Sequence, residues 1–246
     1  MNHRKTAFVT GASGGIGGAC AVQLARQGYD VGVHYHGHRA GAEAVAAQIE
    51  SLGARAWLVP FDITDHAQIE RTMRAFIKER NGLEALVSAA GVVYNQMSGL
   101  TGVDNLDYQW AVNLRGAYLA AKIAAKAMLR AHWGRIVFIG SLVGQHGNAG
   151  QSAYAMVKAG LVGLAKSLAR ELAARRITVN VVAPGYIDTA MTRDLTEEIR
   201  QFILQQIPLH RAGSPEEVGA LVGFLCGETA DYITGAVFNI DGGMGA

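Results

Sequence analysis

Cysteine, proline and charge are all scarce in this chain of 246 residues. Cys20 and Cys226 are its two thiols. Cys20 falls inside a helical stretch, so no disulfide is expected and a reducing, cytoplasmic setting is the default. Four prolines and no Pro/Ser-rich or low-complexity tract leave no linker, so residues 1–246 are expected to form one domain, a size that α/β folds reach as single units. Charged residues make up 17 % and the net charge is +2, with no basic stripe, which speaks against a nucleic-acid partner. No apolar run approaches the ~20 residues that span a bilayer, and no signal-like segment is present, so no membrane partner is expected either. No metal is expected. Aromatics amount to 7 %, whereas half the residues are hydrophobic and 31 are glycine, as suits closely packed helix–sheet layers.

What the chain has is a regular alternation of strand-like and helix-like segments. The patterning predicts strands over 5–10, 30–35, 56–60, 83–89, 135–140, 178–183 and 236–240. Helices are predicted over 19–27, 40–52, 66–80, 106–131, 152–174 and 215–226, with a helical insert over 195–206. Strict alternation with continuously apolar strands implies an α/β fold of Rossmann type: one doubly wound parallel sheet of about seven strands, covered by helices on both faces. Ligands bind such sheets beyond the carboxyl ends of the strands. Gly11, Ala90-Gly91, Ser141 and Pro184-Gly185 all follow strands directly and are expected to line one crevice.

Two motifs carry chemistry. The first strand runs into Gly11-Ala12-Ser13-Gly14-Gly15-Ile16-Gly17 and then a helix. A strand, a glycine turn and a helix present free backbone N–H groups and a positive helix end to a pyrophosphate. Gly11 permits the tight turn, Gly15 lets backbone approach phosphate and Gly17 lets helix pack on strand. The spacing, Gly-x3-Gly-x-Gly, differs from the usual Gly-x-Gly-x2-Gly. The second motif is Tyr154 with Lys158 one helical turn later, on the same helix face. A phenol ordinarily ionises near pH ~10, and a nearby lysine cation favours the phenolate. Ser141, folded beside them, could hold a carbonyl oxygen.

Thr10-Gly-x3-Gly-x-Gly17, Ser88-Ala-Ala-Gly91, Asn113, Ser141, Tyr154-x3-Lys158 and Pro184-Gly185 together resemble the short-chain dehydrogenase/reductase family over essentially the full length. Gly150-Gln-Ser-Ala-Tyr154, Ile177-Thr-Val-Asn-Val-Val-Ala-Pro-Gly185, Tyr232-Ile-Thr-Gly and Asp241-Gly-Gly-Met244 are most similar to its 3-oxoacyl-[acyl-carrier-protein] reductases. The resemblance implies hydride delivery from a nicotinamide to a carbonyl carbon. Tyr154 would then protonate the oxygen, Ser141 would bond it, and Lys158 would hold the ribose hydroxyls and depress the Tyr154 pKa. Asn113 would hold a water that relays protons to Lys158, unless it is only a polar contact or a helix kink. Asp62 and the Ile63 amide would meet the adenine, with an N-cap as the competing role for Asp62. Ala90 and Gly91 would leave room for the cofactor, and Pro184, Gly185, Ile187 and Thr189 would hold the carboxamide end.

Two departures stand out. The family's Asn-Asn-Ala-Gly is Ser88-Ala89-Ala90-Gly91 here, with Ser88 expected to replace part of the lost bonding. Gly140 stands where many relatives carry another serine. After the second strand the chain reads His34-Tyr35-His36-Gly37-His38-Arg39, with no acid before Glu43. His36 and Arg39, with Ser13, could meet a 2′-phosphate, which points to NADPH/NADP+, although a solvated basic loop reads the same way. Residues 191–208 are expected to form a lid over the crevice, with Val143, Gln145, His146, Tyr186 and Met191 lining the substrate pocket. Arg130, Arg175 and Arg176 match or neighbour a carrier-protein docking patch, or else complement helix C-termini. The substrate is thus expected to be a carrier-bound 3-oxoacyl thioester of fatty-acid or polyketide type, or another ketone, such as a small ketone, sugar or steroid. A homotetramer is expected by analogy, and a catalytically silent NADP(H)-binding subunit is the contrasting reading.

Overall fold

Apolar runs that do not alternate with polar residues can be buried only where both faces of their sheet are covered. Seven such runs form the strands β1 (Lys5–Thr10), β2 (Tyr29–Tyr35), β3 (Ala56–Pro60), β4 (Ala85–Ser88), β5 (Gly134–Ile139), β6 (Ile177–Pro184) and β7 (Val237–Ile240). In the computed structural model, which describes residues 4–193 and 196–246, they make one sheet in the order β3-β2-β1-β4-β5-β6-β7. Every neighbouring pair is parallel. The chain steps from β1 out to β3 and then returns to the other edge of β1 as β4. That reversal opens a crevice above the carboxyl ends of β1 and β4. All seven strands lie where the patterning predicted them.

The helices are α1 (Gly15–Arg26), α2 (Arg39–Ser51), α3 (His66–Arg80), α4 (Val103–Trp110), α5 (Gly116–Ala131), α6 (Val143–His146), α7 (Ser152–Leu172), α8 (Ala190–Arg193), α9 (Glu197–Gln205) and α10 (Pro215–Cys226). Successive strand residues point to opposite faces, and the core divides accordingly. Val9, Val31, Val33, Val87, Ile139 and Val182 form one apolar layer with buried residues of α1, α2 and α10. Phe8, Leu86, Ile136, Phe138, Val179 and Val181 form the other with α3, α5 and α7. Among the described residues no helix is long and apolar enough to cross a membrane.

Three elements differ from the sequence expectation. The first helix begins at Gly15, not at residue 19, because the glycines of the turn already carry helical hydrogen bonding. The single helix expected over 106–131 is α4 and α5 joined by a π-helical turn, Ala111–Arg115. Its cause is Asn113, whose side-chain amide donates to the Gln109 carbonyl at 2.9 Å and competes there with the backbone ladder. The stretch from Leu142 to Ser152, which holds three glycines and reads as a loop, contains α6, a single turn. In the expected lid, Met191's side chain and residues 194–195 lie outside the described residues; the rest of the segment includes α9, which exposes Ile199 (47 %) and Phe202 (65 %).

Candidate active site

Backbone geometry explains the glycine turn. Gly11 has φ +66, and a Cβ there would stand 2.7 Å from the Ala90 Cα. A Cβ on Gly17 would collide with the Gly11 carbonyl oxygen, so the close contact of α1 with β1 requires a residue without one. Gly14 opens α1 with φ 149 and no side-chain cap. No atom lies within 4 Å of where its Cβ would be. The first amides of α1 therefore face open space beside the exposed Gly14 and Gly15, with Ser13 and Ile16 half-buried at their sides. An uncapped helix start with a hollow before it fits a pyrophosphate. Thr189 borders the same hollow, its Cγ2 3.7 Å from the Cβ position of Gly15.

The catalytic candidates converge at the ends of β4, β5 and α7. β4 ends at Ser88, and the next two amides, Ala89 and Ala90, both donate to Thr10 Oγ1 at 3.1 Å. Support after β4 thus comes from Thr10, a buried hydroxyl at a strand end, and not from the Ser88 side chain as expected. At this level of the sheet, the Ile139 carbonyl accepts from Lys158 Nζ at 2.9 Å. Lys158 is 5 % exposed, and its Nζ lies 5.5 Å from the centroid of the Tyr154 ring. Ser141 is pinned between the Gly140 N–H bond to Val182 O (2.7 Å) and the Leu142 N–H bond to Pro184 O (2.9 Å). Its hydroxyl accepts from Val143 N at 3.2 Å and lies near enough to the Tyr154 phenol to draw its pKa downward. Asn113 is 1 % exposed; besides Gln109, it exchanges two bonds with the Val92 backbone, at 2.9 and 3.2 Å. Gly91 lies between these groups: a Cβ there would be 2.8 Å from Asn113 Oδ1 and 3.5 Å from Lys158 Nζ. Asn113, Ser141, Tyr154 and Lys158 therefore share one pocket wall.

Burial governs the charges. It pushes the Tyr154 phenol up to about 12, against a smaller pull downward from the Ser141 hydroxyl. It pushes Lys158 down to about 8. The lysine cation is expected to depress Tyr154, but in the ligand-free site burial sets the direction for both groups, upward for the phenol and downward for the ammonium. Tyr154 is a protonated donor at neutral pH, and Lys158 holds its proton loosely enough to pass it on.

The remaining predicted residues distribute as follows. Ile187 is 4 % exposed and buries its side chain in the apolar layer shared with α1 and α10. Gly185 is constrained by Asp241, whose Cβ would be 2.8 Å from a Cβ at 185, and Pro184 ends β6 beside it. Val143 and Tyr186 are half-buried, and Gln145 and His146 exposed. Gln145 Nε2 donates to Asn239 Oδ1 at 2.7 Å. A Cβ at Gly245 would be 3.3 Å from His146 Nε2. The C-terminal segment thus packs on the segment after β5 that holds the candidate substrate residues, a contribution no local motif announces.

Just after β3, Asp62 Oδ1 accepts from Thr64 N and Thr64 Oγ1, each at 2.8 Å. The N-cap of α3 is Asp65, so the competing role for Asp62 falls away. Ile63 buries its side chain under Gly116 and offers its backbone. His36 and Arg39 are exposed, but Arg39 Nε already holds Glu43 Oε1, one helical turn on, at 2.8 Å.

Arg130, Arg175 and Arg176 lie elsewhere. Arg130 ends α5 just before β5, and Arg175 and Arg176 follow α7 just before β6. They stand at the amino-terminal edge of the sheet, whereas Tyr154 and Lys158 start α7. At ~1.5 Å per residue, the length of α7 separates them by roughly 25–30 Å. Arg175 meets His132 Nε2 at 2.8 Å, and Arg176 pairs with Asp231 at 3.6 Å.

Comparison with known proteins fits this arrangement. A profile of the family described as Enoyl-(Acyl carrier protein) reductase matches residues 11–245. The chain is 39 % identical over 244 residues to a 3-oxoacyl-[acyl-carrier-protein] reductase FabG of Staphylococcus aureus, covering 99 % of each chain. It is 42 % identical over 242 residues to that of Aquifex aeolicus, covering 98 % of this chain and 97 % of the other. A solved Sinorhizobium meliloti structure described as a short-chain alcohol dehydrogenase superposes with a TM-score of 0.93 at 37 % identity, over 98 % of this chain and 96 % of that one.

Proposed function

The chain belongs to the short-chain dehydrogenase/reductase family, and on that premise we propose that it reduces a 3-oxoacyl thioester, borne on an acyl-carrier protein, to the 3-hydroxyacyl product with NADPH. A nicotinamide cofactor belongs to the family's chemistry, and the uncapped start of α1 fits its pyrophosphate. When bound, the reduced nicotinamide supplies the hydride. Gly11, Ser13, Gly15, Ile16 and Gly17 hold the phosphates, Asp62, Ile63, Ala90 and Gly91 the adenosine side, and Pro184, Gly185, Ile187 and Thr189 the carboxamide end. Ser13, His36 and Arg39 form the basic face toward a 2′-phosphate.

One observation supports the reaction type: the Ser141 hydroxyl stands near enough to the Tyr154 phenol to draw its pKa downward, with Lys158 Nζ 5.5 Å from the phenol ring. As the ketone carbon gains its hydride, the C–O π pair moves to oxygen, and Tyr154 gives that oxygen its proton while Ser141 bonds it. Tyr154 regains its proton through Lys158, which Asn113 backs through a bound water. Reduction of a C=C bond, the reaction in the family profile's description, ends with a proton on carbon, for which two hydroxyls converging on one oxygen are less suited. Residues 191–208 act as a lid. The enzyme works as a cytoplasmic homotetramer, in which the basic end of one copy serves carrier docking to a neighbour's crevice.

Loss of NADPH absorbance decides the substrate class. Acetoacetyl thioester should be turned over far faster than crotonyl thioester, sugars or simple ketones. Preferential use of the crotonyl thioester would transfer the assignment to enoyl reduction, and turnover of sugars or steroids alone would assign another ketone. No turnover of any of these would leave the silent cofactor-binding subunit.

A further inference from the structure

The end of β2 carries a buried histidine that the proposed chemistry does not use. His34 is 2 % exposed, and both ring nitrogens are engaged. Nδ1 lies 2.9 Å from the Gly11 backbone nitrogen, and Nε2 lies 3.2 Å from the Phe61 carbonyl oxygen. A backbone N–H can only donate and a carbonyl can only accept, so Nδ1 is the bare acceptor and Nε2 carries the hydrogen. The His34 carbonyl also accepts from Ala12 N at 2.8 Å. Two consecutive amides at the start of the glycine turn therefore end on one residue. On its other side the ring holds Phe61, directly before Asp62, and packs on the Phe61 ring with centroids 3.9 Å apart. Burial pushes the imidazole down to about 4, so at neutral pH it stays in the uncharged form that accepting at Nδ1 requires.

Resting on the dinucleotide reading above, we propose that His34 is a positioning residue: it locks the glycine turn to the loop after β3 and sets the spacing between the phosphate and adenine ends of the site. Simple core filling would not need this ring. The neighbours Phe8 and Phe61 are aromatic, and a phenylalanine would occupy the same space without a polar atom to satisfy. Gly11 cannot adjust freely on its own, because its positive φ and its contact with Ala90 leave the turn little room.

The test uses three variants. His34→Phe keeps the ring and loses both bonds. His34→Asn can place an acceptor where Nδ1 stands, and His34→Gln can place a donor where Nε2 stands. NADPH affinity is read by fluorescence titration, kcat at saturating NADPH by turnover, and folding by thermal unfolding. His34→Phe should weaken NADPH binding at least about tenfold, equivalent to about 1.4 kcal/mol, with kcat at saturation within about twofold. His34→Asn should bind within about threefold of the unaltered chain, and His34→Gln should fall nearer the Phe variant. If the Phe variant does not fold, the order of Asn above Gln decides alone. Unaltered NADPH affinity in all the folded variants, or equal losses in Asn and Gln, overturns the proposal while leaving the function standing. Failure of the unaltered chain to bind either nicotinamide dinucleotide sinks the functional reading, and the role of His34 with it.

Discussion

Replacing Lys158 by methionine should make the ligand-free protein more stable while abolishing its activity. Lys158 is 5 % exposed, and among the described residues no carboxylate pairs with it. Burial lowers its pKa from 10.5 to about 8. At ~1.4 kcal/mol per pKa unit, holding the charge at neutral pH costs the folded state about 3 kcal/mol. Methionine fills much of the same volume without charge but gives up the bond to Ile139 O, worth about 1 kcal/mol. The net gain is about 2 kcal/mol, or ~5 °C in midpoint for a chain of this size. The pH dependence follows from the same numbers. Between pH 8 and 10.5 the unfolded lysine binds more protons than the folded one, so this group adds stability as pH rises through that window. Buried Cys20, Cys226, Tyr29 and Tyr154 act oppositely, since their raised pKa values remove stability as pH passes the ordinary thiol and phenol values of 9 and 10. Urea unfolding of both proteins across pH 7–11 isolates Lys158 in the difference, because the other groups are common to both. The variant should lead by about 2 kcal/mol at neutral pH and lose that lead by pH 10.5. A variant less stable at neutral pH, or a difference that does not narrow, would refute the reasoning.

Thr10→Val keeps the shape of the side chain but strands the Ala89 and Ala90 amides, and should lower unfolding stability by about 2 kcal/mol in urea titrations. Arg39→Asp replaces the cation that Glu43 now holds with an anion facing the 2′ position, so the ratio of kcat/KM for NADPH over NADH should fall at least about tenfold. Unchanged NADPH preference would remove Arg39 from the cofactor site. The double variant Arg130→Glu with Arg175→Glu should raise KM for a carrier-bound substrate several-fold and leave KM for a small thioester unchanged. Equal effects on both would mean the patch is not a docking face.

Most of the fold was legible because its signals are local. The strands are largely apolar runs that alternate with helical patterns along the chain, so the parallel sheet and its seven strands could be read directly. Pro215 after Ser214 also marked the start of α10, where Ser214 and Glu217 form a reciprocal cap. What escaped was set by contacts distant in sequence. The π turn at Asn113 depends on where its amide finds an acceptor, and no propensity encodes that choice. Thr10 bonds residues nearly eighty positions away, and the C-terminal segment reaches the segment after β5 only through the fold. The candidate site residues could be picked from motif spacing, but their charge states could not. Burial, which decides the direction for Tyr154 and Lys158, is a property of the assembled core. The place of the basic triad, at the edge of the sheet away from Tyr154, was likewise not legible locally; it follows from α5 and α7 running antiparallel to the strands.

The account turns on Tyr154 as the donor of a proton to a ketone oxygen. The most direct measurement compares the unaltered chain with Tyr154→Phe, following NADPH absorbance in the presence of acetoacetyl thioester and NADPH binding by fluorescence. The unaltered chain should consume NADPH in step with formation of the 3-hydroxybutyryl thioester. The phenylalanine variant should bind NADPH within about threefold and lose at least about a hundredfold in kcat, the scale of a positioned proton donor. Retention of turnover without the phenol, or consumption of NADPH with no hydroxyacyl product from the unaltered chain, would contradict it.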